Sequence, residues 1–352
     1  MIDINNTPSF LMAVQELPPI NTFLRDRYFP TNPMTDIFTT ESVLADFKEG
    51  SKKVAPFVAP RKGGMTLHRK GFLTEQYEPP NVAPQRSLTE DDLKKRGFGE
   101  ALMSGLTPED RQDMLVLGDI DDMDKSITLR EEQISALCLV DNGYVMKHYV
   151  DDKVQEDMEI KFYEGDANPS TFTPMVSWDA PDADIISDLA IMAQTRKAKG
   201  LGASELLIAA DVSDCFWNNN KILKLLDNRG VEIGGIKPEN WPEGADLIAK
   251  LNCKGHLISI ISYVDTYVDD DDTVKSFIPS GKVVLTSPAC GRMLYGAVTQ
   301  LEDDKNFHTY AATRVPKHVV DTSANIKLVR LTAKPLAIPN YRNHATSASV
   351  IF

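Results

Sequence analysis

The segment from Thr107 to Gly143 constrains the fold most, because its pattern predicts a helix of roughly 35 residues. Thr107 can cap the start, and Pro108 stands at the first helical position, where its missing N–H costs nothing. Asn142-Gly143 supplies the left-handed residue that commonly ends a helix. At 1.5 Å per residue such a helix would span about 50 Å. An element this long must organise the rest of the chain around it.

One narrow apolar stripe runs along this segment at steps of three and four residues. The positions predicted to form its core are Leu117, Ile120, Ile134, Leu137 and Cys138. Gly118 and Ser126 are the places where a break or kink is easiest. The alternative is two ordinary helices, Thr107–Asp124 and Thr128–Asn142, the second with a capping box made by Thr128 and Glu131.

The composition indicates a folded chain with room for two domains. Of its 352 residues, 42% are apolar and 25% are charged, which is typical of globular proteins and not of disordered ones. No apolar run is long enough to span a membrane, and the N-terminus lacks a signal-peptide pattern, so we expect a protein made in a cytoplasm. The four cysteines stand singly, which favours buried free thiols: Cys138, Cys215, Cys253 and Cys290.

The charge is acidic overall and unevenly distributed. A net charge of -13 disfavours a sequence-reading nucleic-acid protein, since phosphate binding normally needs a basic surface. Lys48 to Arg86 holds eight Lys or Arg against three Glu, whereas Thr89 to Asp124 holds eleven Asp or Glu against four Lys or Arg. A basic segment beside an acidic one predicts a contact between them, within one chain or between copies.

The first ninety residues read as an arm followed by an excursion. Prolines break up Met1 to Asp46, where helical turns are predicted at Thr22–Phe29 and a strand at Asp36–Val43. Phe47 to Leu88 fits two strands joined by a glycine-rich turn region. Because an isolated hairpin is marginal in water, we expect arm and excursion to lack partners within their own chain and to pack on a second copy.

The remainder reads as an α/β body. A hairpin is predicted at Tyr144–Val150 and Met158–Tyr163, and a helix from Asp179 to Gly200. The elements predicted after it are a strand at 206–210, a helix at 213–228 and strands at 257–268, 282–286 and 293–299. The tail strands, 326–338 and 348–352, are expected to return and complete a sheet.

The sequence offers little catalytic chemistry. It has no phosphate-binding glycine loop, nucleophile elbow or paired-histidine metal motif, and we predict no catalytic residue, metal ligand or cofactor. The acidic run Asp269–Asp272 lacks the spacing of a calcium loop and is interpreted as a solvated turn. A metal-dependent hydrolase built on that run and a distant histidine stays as an alternative.

Several short stretches, in the same order, resemble the major capsid protein E family of lambda-like tailed bacteriophages. The likeness covers nearly the whole chain, from Thr22 to Ile351, and no single piece is diagnostic. The matching stretches are Phe23-Leu-Arg with Tyr28-Phe29, Phe38-Thr-Thr-Glu-Ser-Val43, Val54-Ala-Pro-Phe-Val-Ala-Pro60 with Gly63-Gly64, Gly71-Phe72, Leu129-Arg-Glu-Glu leading to Gly143-Tyr144, Trp178 before an acidic helix start, Phe277-Ile-Pro-Ser-Gly with Val283-Val-Leu, Tyr295-Gly, and Arg314-Val-Pro-Lys.

The resemblance implies an α+β, HK-97-type phage coat fold. It would make residues 1–46 an N-terminal arm and 47–90 an extended β-hairpin loop. The peripheral domain, with the long helix as its spine, would comprise 91–182 and 310–345, and the α/β axial domain 183–309 and 346–352.

The resemblance also implies a structural function and no enzymatic one. The chain would be a major capsid protein, self-assembling in the host cytoplasm into hexamers and pentamers of an icosahedral head that encloses double-stranded DNA without sequence-specific binding. Its partners would be itself and scaffold, portal and decoration proteins. An encapsulin-like compartment shell is the alternative within the same fold. From the charge pattern we further predict that four basic residues of the loop contact an adjoining subunit, near acidic residues of its Thr89–Asp124 region. These residues are Lys52, Lys53, Arg61 and Lys62.

Overall fold

The long helix is present as one continuous element. In the computed structural model it runs from Pro108 to Asp141, 34 residues, and passes Gly118 and Ser126 without interruption. Its start is a capping box, in which the Asp110 N–H donates to Thr107 Oγ1 at 3.1 Å and the Thr107 N–H donates to the Asp110 carboxylate at 3.1 Å. The single-helix prediction is confirmed and the two-helix alternative is wrong.

The helix ends where the sequence indicates. Asn142 takes the left-handed conformation, with φ of 55°, and its N–H donates to the Cys138 carbonyl at 3.1 Å. Gly143 serves a different purpose, because a Cβ there would lie 2.6 Å from the Ile160 carbonyl oxygen of the neighbouring strand. Asn142 therefore turns the chain and Gly143 allows two backbones to approach closely.

The structure describes residues 22–47, 73–94, 107–151, 154–165, 168–223, 244–302, 304–321 and 326–352. The helices are α1 Leu24–Tyr28, α2 Glu90–Lys94, α3 Pro108–Asp141, α4 Ile185–Ala198 and α5 Ala210–Trp217. The strands are β1 Val43–Phe47, β2 Leu73–Tyr77, β3 Gln85–Thr89, β4 Gly143–Asp151, β5 Val154–Lys161, β6 Thr171–Phe172, β7 Glu205–Ile208, β8 Ala245–Cys253, β9 His256–Tyr263, β10 Thr266–Val268, β11 Val274–Ser276, β12 Lys282–Thr286, β13 Gly291–Tyr295, β14 Val298–Leu301, β15 Phe307–Tyr310, β16 Val315–Asp321, β17 Ile326–Thr332, β18 Pro335–Pro339 and β19 Thr346–Ser349.

A mixed sheet of six strands forms the body, in the order β6-β19-β12-β7-β9-β8. Strands β7 and β9 are parallel, as are β19 and β6, and the other neighbours are antiparallel. Its central strands are apolar on both faces, as expected of strands covered on two sides. The tail prediction is confirmed, because β19 inserts between β12 and β6.

A second sheet, β16-β17-β3, packs on the first half of α3. Leu88 on β3 and Val329 and Leu331 on β17 are buried against the helix. Val116, Ile120, Met123 and Ile127 form the helical side of this small core. The second half of α3 joins the main core instead, so one helix connects the two sheets.

The remaining strands form hairpins and two-stranded pairs. The predicted hairpin is confirmed as β4–β5, which pair antiparallel. Strand β1 pairs with β2, from Val43 opposite Tyr77 to Phe47 opposite Leu73. The other antiparallel pairs are β10–β11, β13–β18 and β14–β15.

The expectation that the arm lacks partners within its own chain is wrong for residues 22–46. Phe23, Leu24, Tyr28 and Phe29 are buried in the main core, so residues 22–46 do have partners within the chain. The helical turns at Thr22–Phe29 are confirmed as α1. The predicted strand at Asp36–Val43 is wrong, because β1 begins only at Val43 and the Ile37 region makes a single bridge to Tyr295.

Several helices and strands begin or end at residues other than those predicted. The helix predicted from Asp179 begins at Ile185, where the Asp184 side chain accepts the Ser187 N–H at 3.2 Å. The helix predicted at 213–228 is divided: α5 ends at Trp217, and residues 220–223 are helical again. Residues 224–243 lie outside the described ranges. Each predicted strand at 257–268 and 293–299 is divided into two. The thiols of Cys138, Cys253 and Cys290 are buried as predicted, and Cys215 is partly exposed.

Candidate functional site: charges buried along the long helix

A cluster of charged side chains lies buried where α3 meets the N-terminal segment and β16. Glu131 stands at its centre, with a side chain that is wholly buried. Arg314, just before β16, donates from Nη1 to Glu131 Oε1 at 2.6 Å and from Nη2 to Oε2 at 3.1 Å. Arg25, on α1, donates from Nη1 to Glu131 Oε2 at 2.9 Å. One carboxylate therefore joins three separate parts of the chain.

Arg314 also donates hydrogen bonds to other acceptors on the surface of α3. Its Nε donates to Asp124 Oδ1 at 2.6 Å, and Nη2 also lies 3.2 Å from Thr128 Oγ1. Burial disfavours the charged guanidinium, but the charge and hydrogen bonds of Glu131 outweigh it, so the pKa of Arg314 is raised. A planar guanidinium fits this use because it presents several donors in a fixed geometry. Thr128 and Glu131, predicted as a capping box, are instead ligands of this arginine in the middle of a helix.

Glu132 ties the short helix α1 to the same surface. Its carboxylate accepts the Leu24 N–H at 2.7 Å, the Arg25 N–H at 2.8 Å and the Tyr263 hydroxyl at 2.8 Å. Burial raises the pKa of Glu132, and these hydrogen bonds act in the opposite direction. A carboxylate at the N-terminus of a helix satisfies N–H groups that would otherwise lack acceptors. The N-terminal segment is thereby fixed to α3 and β9.

A third buried carboxylate holds the other end of α1. Glu205 on β7 accepts a hydrogen bond from Arg27 Nε at 2.8 Å, a second bond from Arg27 Nη2, and the Tyr28 hydroxyl at 2.8 Å. The Tyr28 pKa lies well above its ordinary value, because burial and the nearby carboxylate both disfavour a phenolate. The N-terminal segment is therefore anchored to both the long helix and the main sheet.

The cluster brings together stretches that are distant in the sequence. Four of these stretches contribute side chains to the cluster or contact it: Phe23-Leu-Arg, Leu129-Arg-Glu-Glu, Tyr295-Gly and Arg314-Val-Pro-Lys. Each stretch carried part of the family resemblance, but charge patterns along the chain gave no sign that they meet. The predicted core of the long helix does not include Glu131 or Glu132. Charged residues are rarely buried unless paired, and the partners of these two are distant in the sequence.

The predicted core of α3 is only partly as expected. Ile120, Ile134 and Cys138 are buried, and Leu137 is partly buried against the main core. Leu117 was predicted inside but is 39% exposed. Leu117 belongs to none of the apolar clusters formed by the described residues. Lys52, Lys53, Arg61 and Lys62, predicted at a subunit contact, lie outside the described residues.

The acidic run Asp269–Asp272 forms a turn tied by basic residues. Lys275 bonds Asp269, and Arg130 on α3 donates to Asp270 at 2.5 Å. Among the described residues, no group of three or more His, Cys, Asp or Glu is placed to hold a metal ion. No helix in the same ranges is both long and apolar enough to cross a bilayer.

Comparison with known proteins identifies the chain. The family model "Phage major capsid protein E" matches residues 6–350, nearly the whole sequence. The chain belongs to the phage major capsid protein E family. It is 24% identical to the major capsid protein of Escherichia phage lambda over 288 residues, covering 81% of this chain and 82% of that protein. It is 23% identical to the major capsid protein of Escherichia phage N15 over 323 residues, 90% of each chain.

The fold agrees with this family. A crystal structure of a prophage capsid protein from Escherichia coli CFT073 superposes with a TM-score of 0.66 at 16% identity, covering 98% of this chain and 99% of the other. The α+β, HK-97-type coat fold predicted from the resemblance is confirmed.

Membership settles the class of function. Proteins of this family are structural capsid proteins that self-assemble into the shell of the virion, so this capsid protein is not an enzyme. The hydrolase alternative is therefore wrong, and the match to phage capsid proteins across the chain disfavours the encapsulin-like alternative. The buried charge cluster is accordingly part of a subunit framework and not a catalytic centre.

Proposed function

We propose that this capsid protein forms hexamers and pentamers that close into an icosahedral head around double-stranded DNA. The family match over residues 6–350 carries the proposal. Contacts repeated around a rotation axis close into rings, and many weak contacts between rings add through multivalency. The net charge of -13 fits a shell that encloses DNA without gripping it, since tight neutralisation of phosphate needs a basic surface.

The subunit divides along the lines expected for its family. We propose an N-terminal arm at 1–46, an extended loop at 47–90, a peripheral domain at 91–182 and 310–345, and an axial domain at 183–309 and 346–352. The small sheet on the first half of α3 and the six-stranded sheet support the two main units. Two short strands refine the boundaries: β3 belongs with the peripheral sheet and β6 with the axial sheet.

The extended loop is proposed to cross onto an adjoining subunit. Strands β1 and β2 are paired up to Phe47 and Leu73, so the chain between them leaves and returns at one place. That stretch contains Lys52, Lys53, Arg61 and Lys62. The acidic surface of α3 already attracts a cation of its own chain, because Arg86 Nη1 lies 2.7 Å from Asp119 Oδ1 and 3.2 Å from Asp122 Oδ2. We infer that the four loop cations use the same kind of pairing between subunits.

The proposed partners are other copies of this chain, a scaffold, a portal and decoration proteins. Some large apolar side chains are exposed on the single subunit and are available for contacts with other chains. Examples are Met34 at 94% exposed, Met175 at 99% and Phe307 at 76%.

Electron microscopy of the purified full chain tests the proposal. We expect hollow particles of uniform diameter at high protein concentration and moderate salt, with five- and six-fold rings as building units. Sedimentation should show the same material as rings or shells. A compact monomer as the only species over the whole concentration range would overturn the proposal.

A further inference from the structure

Two basic side chains face each other on the three-stranded sheet. Lys317 on β16 and Arg330 on β17 are directly opposite in the antiparallel ladder, so their side chains stand on the same face. Side chains in this relationship have Cβ atoms about 5 Å apart, and like charges there destabilise the sheet. The arrangement costs the isolated subunit stability unless something neutralises it.

Within the described ranges, neither cation has a carboxylate at ion-pair distance. This differs from the other arginines near α3: Arg314 binds Glu131 and Arg86 binds Asp119. The Arg330 Nε is buried, yet it has no hydrogen-bond acceptor in the part of the chain that the structure describes. A buried donor without an acceptor carries the full cost of its desolvation. Among the described residues, no anionic or acceptor group therefore completes this site.

The surroundings of the pair are those of a protein contact surface. Arg330 is flanked on its other side by Gln85, and the next row on the same face consists of Leu328 opposite Val319. Val319 is 39% exposed and Leu328 is half-buried. An arginine beside apolar side chains on a half-exposed sheet is typical of the centre of protein interfaces.

This face is exposed at one end, where Val319 lies. Its other end is closed where Val315 packs with Val298 and Ala312 near the β14–β15 hairpin. The opposite face of the sheet is already used, because Val329 and Leu331 are buried against α3. The open part of the face thus contains both cations and the apolar row.

We propose that this face is covered by a second copy of the chain, which supplies a carboxylate to Arg330 and Lys317. The inference rests on the self-assembly proposed above and assigns one of its contact surfaces. A second copy fits because the chain has 51 acidic against 38 basic residues and therefore presents carboxylates in excess. A carboxylate suits a guanidinium fork, and the adjoining apolar row favours a protein surface over a phosphate backbone.

Neutral variants test the assignment. The double variant Lys317→Gln, Arg330→Gln removes the pair, and Lys327→Gln is the control, because Lys327 is on the same strand but its Nζ contacts Gln112 of α3 at 3.1 Å. Below the assembly concentration, the double variant should melt at the wild-type temperature or higher, since a like-charge repulsion is gone. The concentration for half-maximal assembly should rise on the order of tenfold, and that of the control should stay within about twofold.

Either of two results would overturn the assignment. If the double variant assembles at the wild-type concentration, the proposed contact between copies is wrong. If its particles also retain DNA less well, Lys317 and Arg330 bind phosphate instead. A lower melting temperature of the unassembled variant would mean that the pair stabilises its own subunit.

Zero-length cross-linking separates this inference from the proposed function. Isotope-labelled and unlabelled wild-type chains are mixed, assembled and treated with a carbodiimide that joins lysine amines to carboxylates. We expect a Lys317 cross-link between a heavy and a light peptide in whatever oligomer forms, even if closed shells do not. Oligomers in which Lys317 links only peptides of the same label would overturn the inference while leaving shell formation intact.

Discussion

Arg314 holds Glu131 by two parallel hydrogen bonds, from Nη1 to Oε1 at 2.6 Å and from Nη2 to Oε2 at 3.1 Å, although 183 positions separate them. The same carboxylate accepts a bond from Arg25 at 2.9 Å. Removing one member of a buried pair leaves an uncompensated charge, which costs more than the pair itself contributes. This contact joins the N-terminal segment, α3 and β16 into one unit.

We expect Arg314→Met to lower the free energy of unfolding by about 3–5 kcal/mol, because Glu131 would stay buried with one of its two cations missing. Arg314→Lys should recover only part of the loss, since an ammonium cannot form the paired bonds. Urea denaturation of the unassembled subunit measures both. Arg86→Met is the matched control: Arg86 also binds α3, but its side chain is 49% exposed, so its loss should cost about 0–1 kcal/mol. Equal losses for Arg314→Met and Arg86→Met would contradict the importance of the cluster.

Two stripe residues one turn apart on α3 should respond differently to the same change. Ile120 is 1% exposed and Leu117 is 39% exposed. Ile120→Asp should destabilise the subunit by more than about 3 kcal/mol, because it buries a charge in the small core. Leu117→Asp should change stability by less than about 1 kcal/mol. Thermal melting decides the matter, and a Leu117→Asp variant as unstable as Ile120→Asp would mean that the stripe is buried throughout.

His344 predicts a loss of stability in acid. Burial and the nearby Arg196 charge lower the pKa of His344 to about 3, so the folded subunit keeps the ring neutral. An unfolded chain protonates a histidine near pH 6.5. The unfolded state thus binds more protons between about pH 6.5 and 3, and stability falls as the pH drops through this window, by up to about 1.4 kcal/mol per unit.

The comparison of wild type with His344→Gln isolates this contribution. Glu132 has a raised pKa and so acts in the opposite direction, but it is present in both proteins. The stability difference between wild type and variant should shrink or reverse on acidification from pH 7 to 4. A difference that stays constant over that range would show that His344 titrates alike in the folded and unfolded chain.

Reversal of the four loop cations, Lys52, Lys53, Arg61 and Lys62, to Glu should leave the subunit folded but block assembly at low salt. Each exposed pair contributes only about 0–1 kcal/mol, so single changes should be mild, while four reversals repeat the repulsion at every copy of the contact. Circular dichroism checks the fold and light scattering checks assembly. The matched variant with four Gln should show an intermediate defect. Wild-type assembly of the folded Glu variant would remove the electrostatic role of the loop.

Local pattern was sufficient for the elements that carry their own signals. The capping box at Thr107, the left-handed Asn142 and the apolar repeat mark α3 without reference to any neighbour. The β4–β5 hairpin and the strand at 282–286 are likewise predicted from composition and alternation. The overall fold was predicted from the family resemblance. Each matching stretch is weak evidence by itself, but many such stretches in the same order along the chain are jointly specific.

What the sequence by itself determined is therefore the list of elements, the family and the absence of a recognisable catalytic motif. The tertiary structure alone decided which charges are buried, because Glu131, Glu132 and Glu205 are stable inside only through partners more than a hundred positions away. It also decided that the N-terminal segment belongs to the core and that Leu117 does not. Whether a residue is buried depends on contacts with segments that are distant in the sequence, and the periodicity of one segment does not predict those contacts.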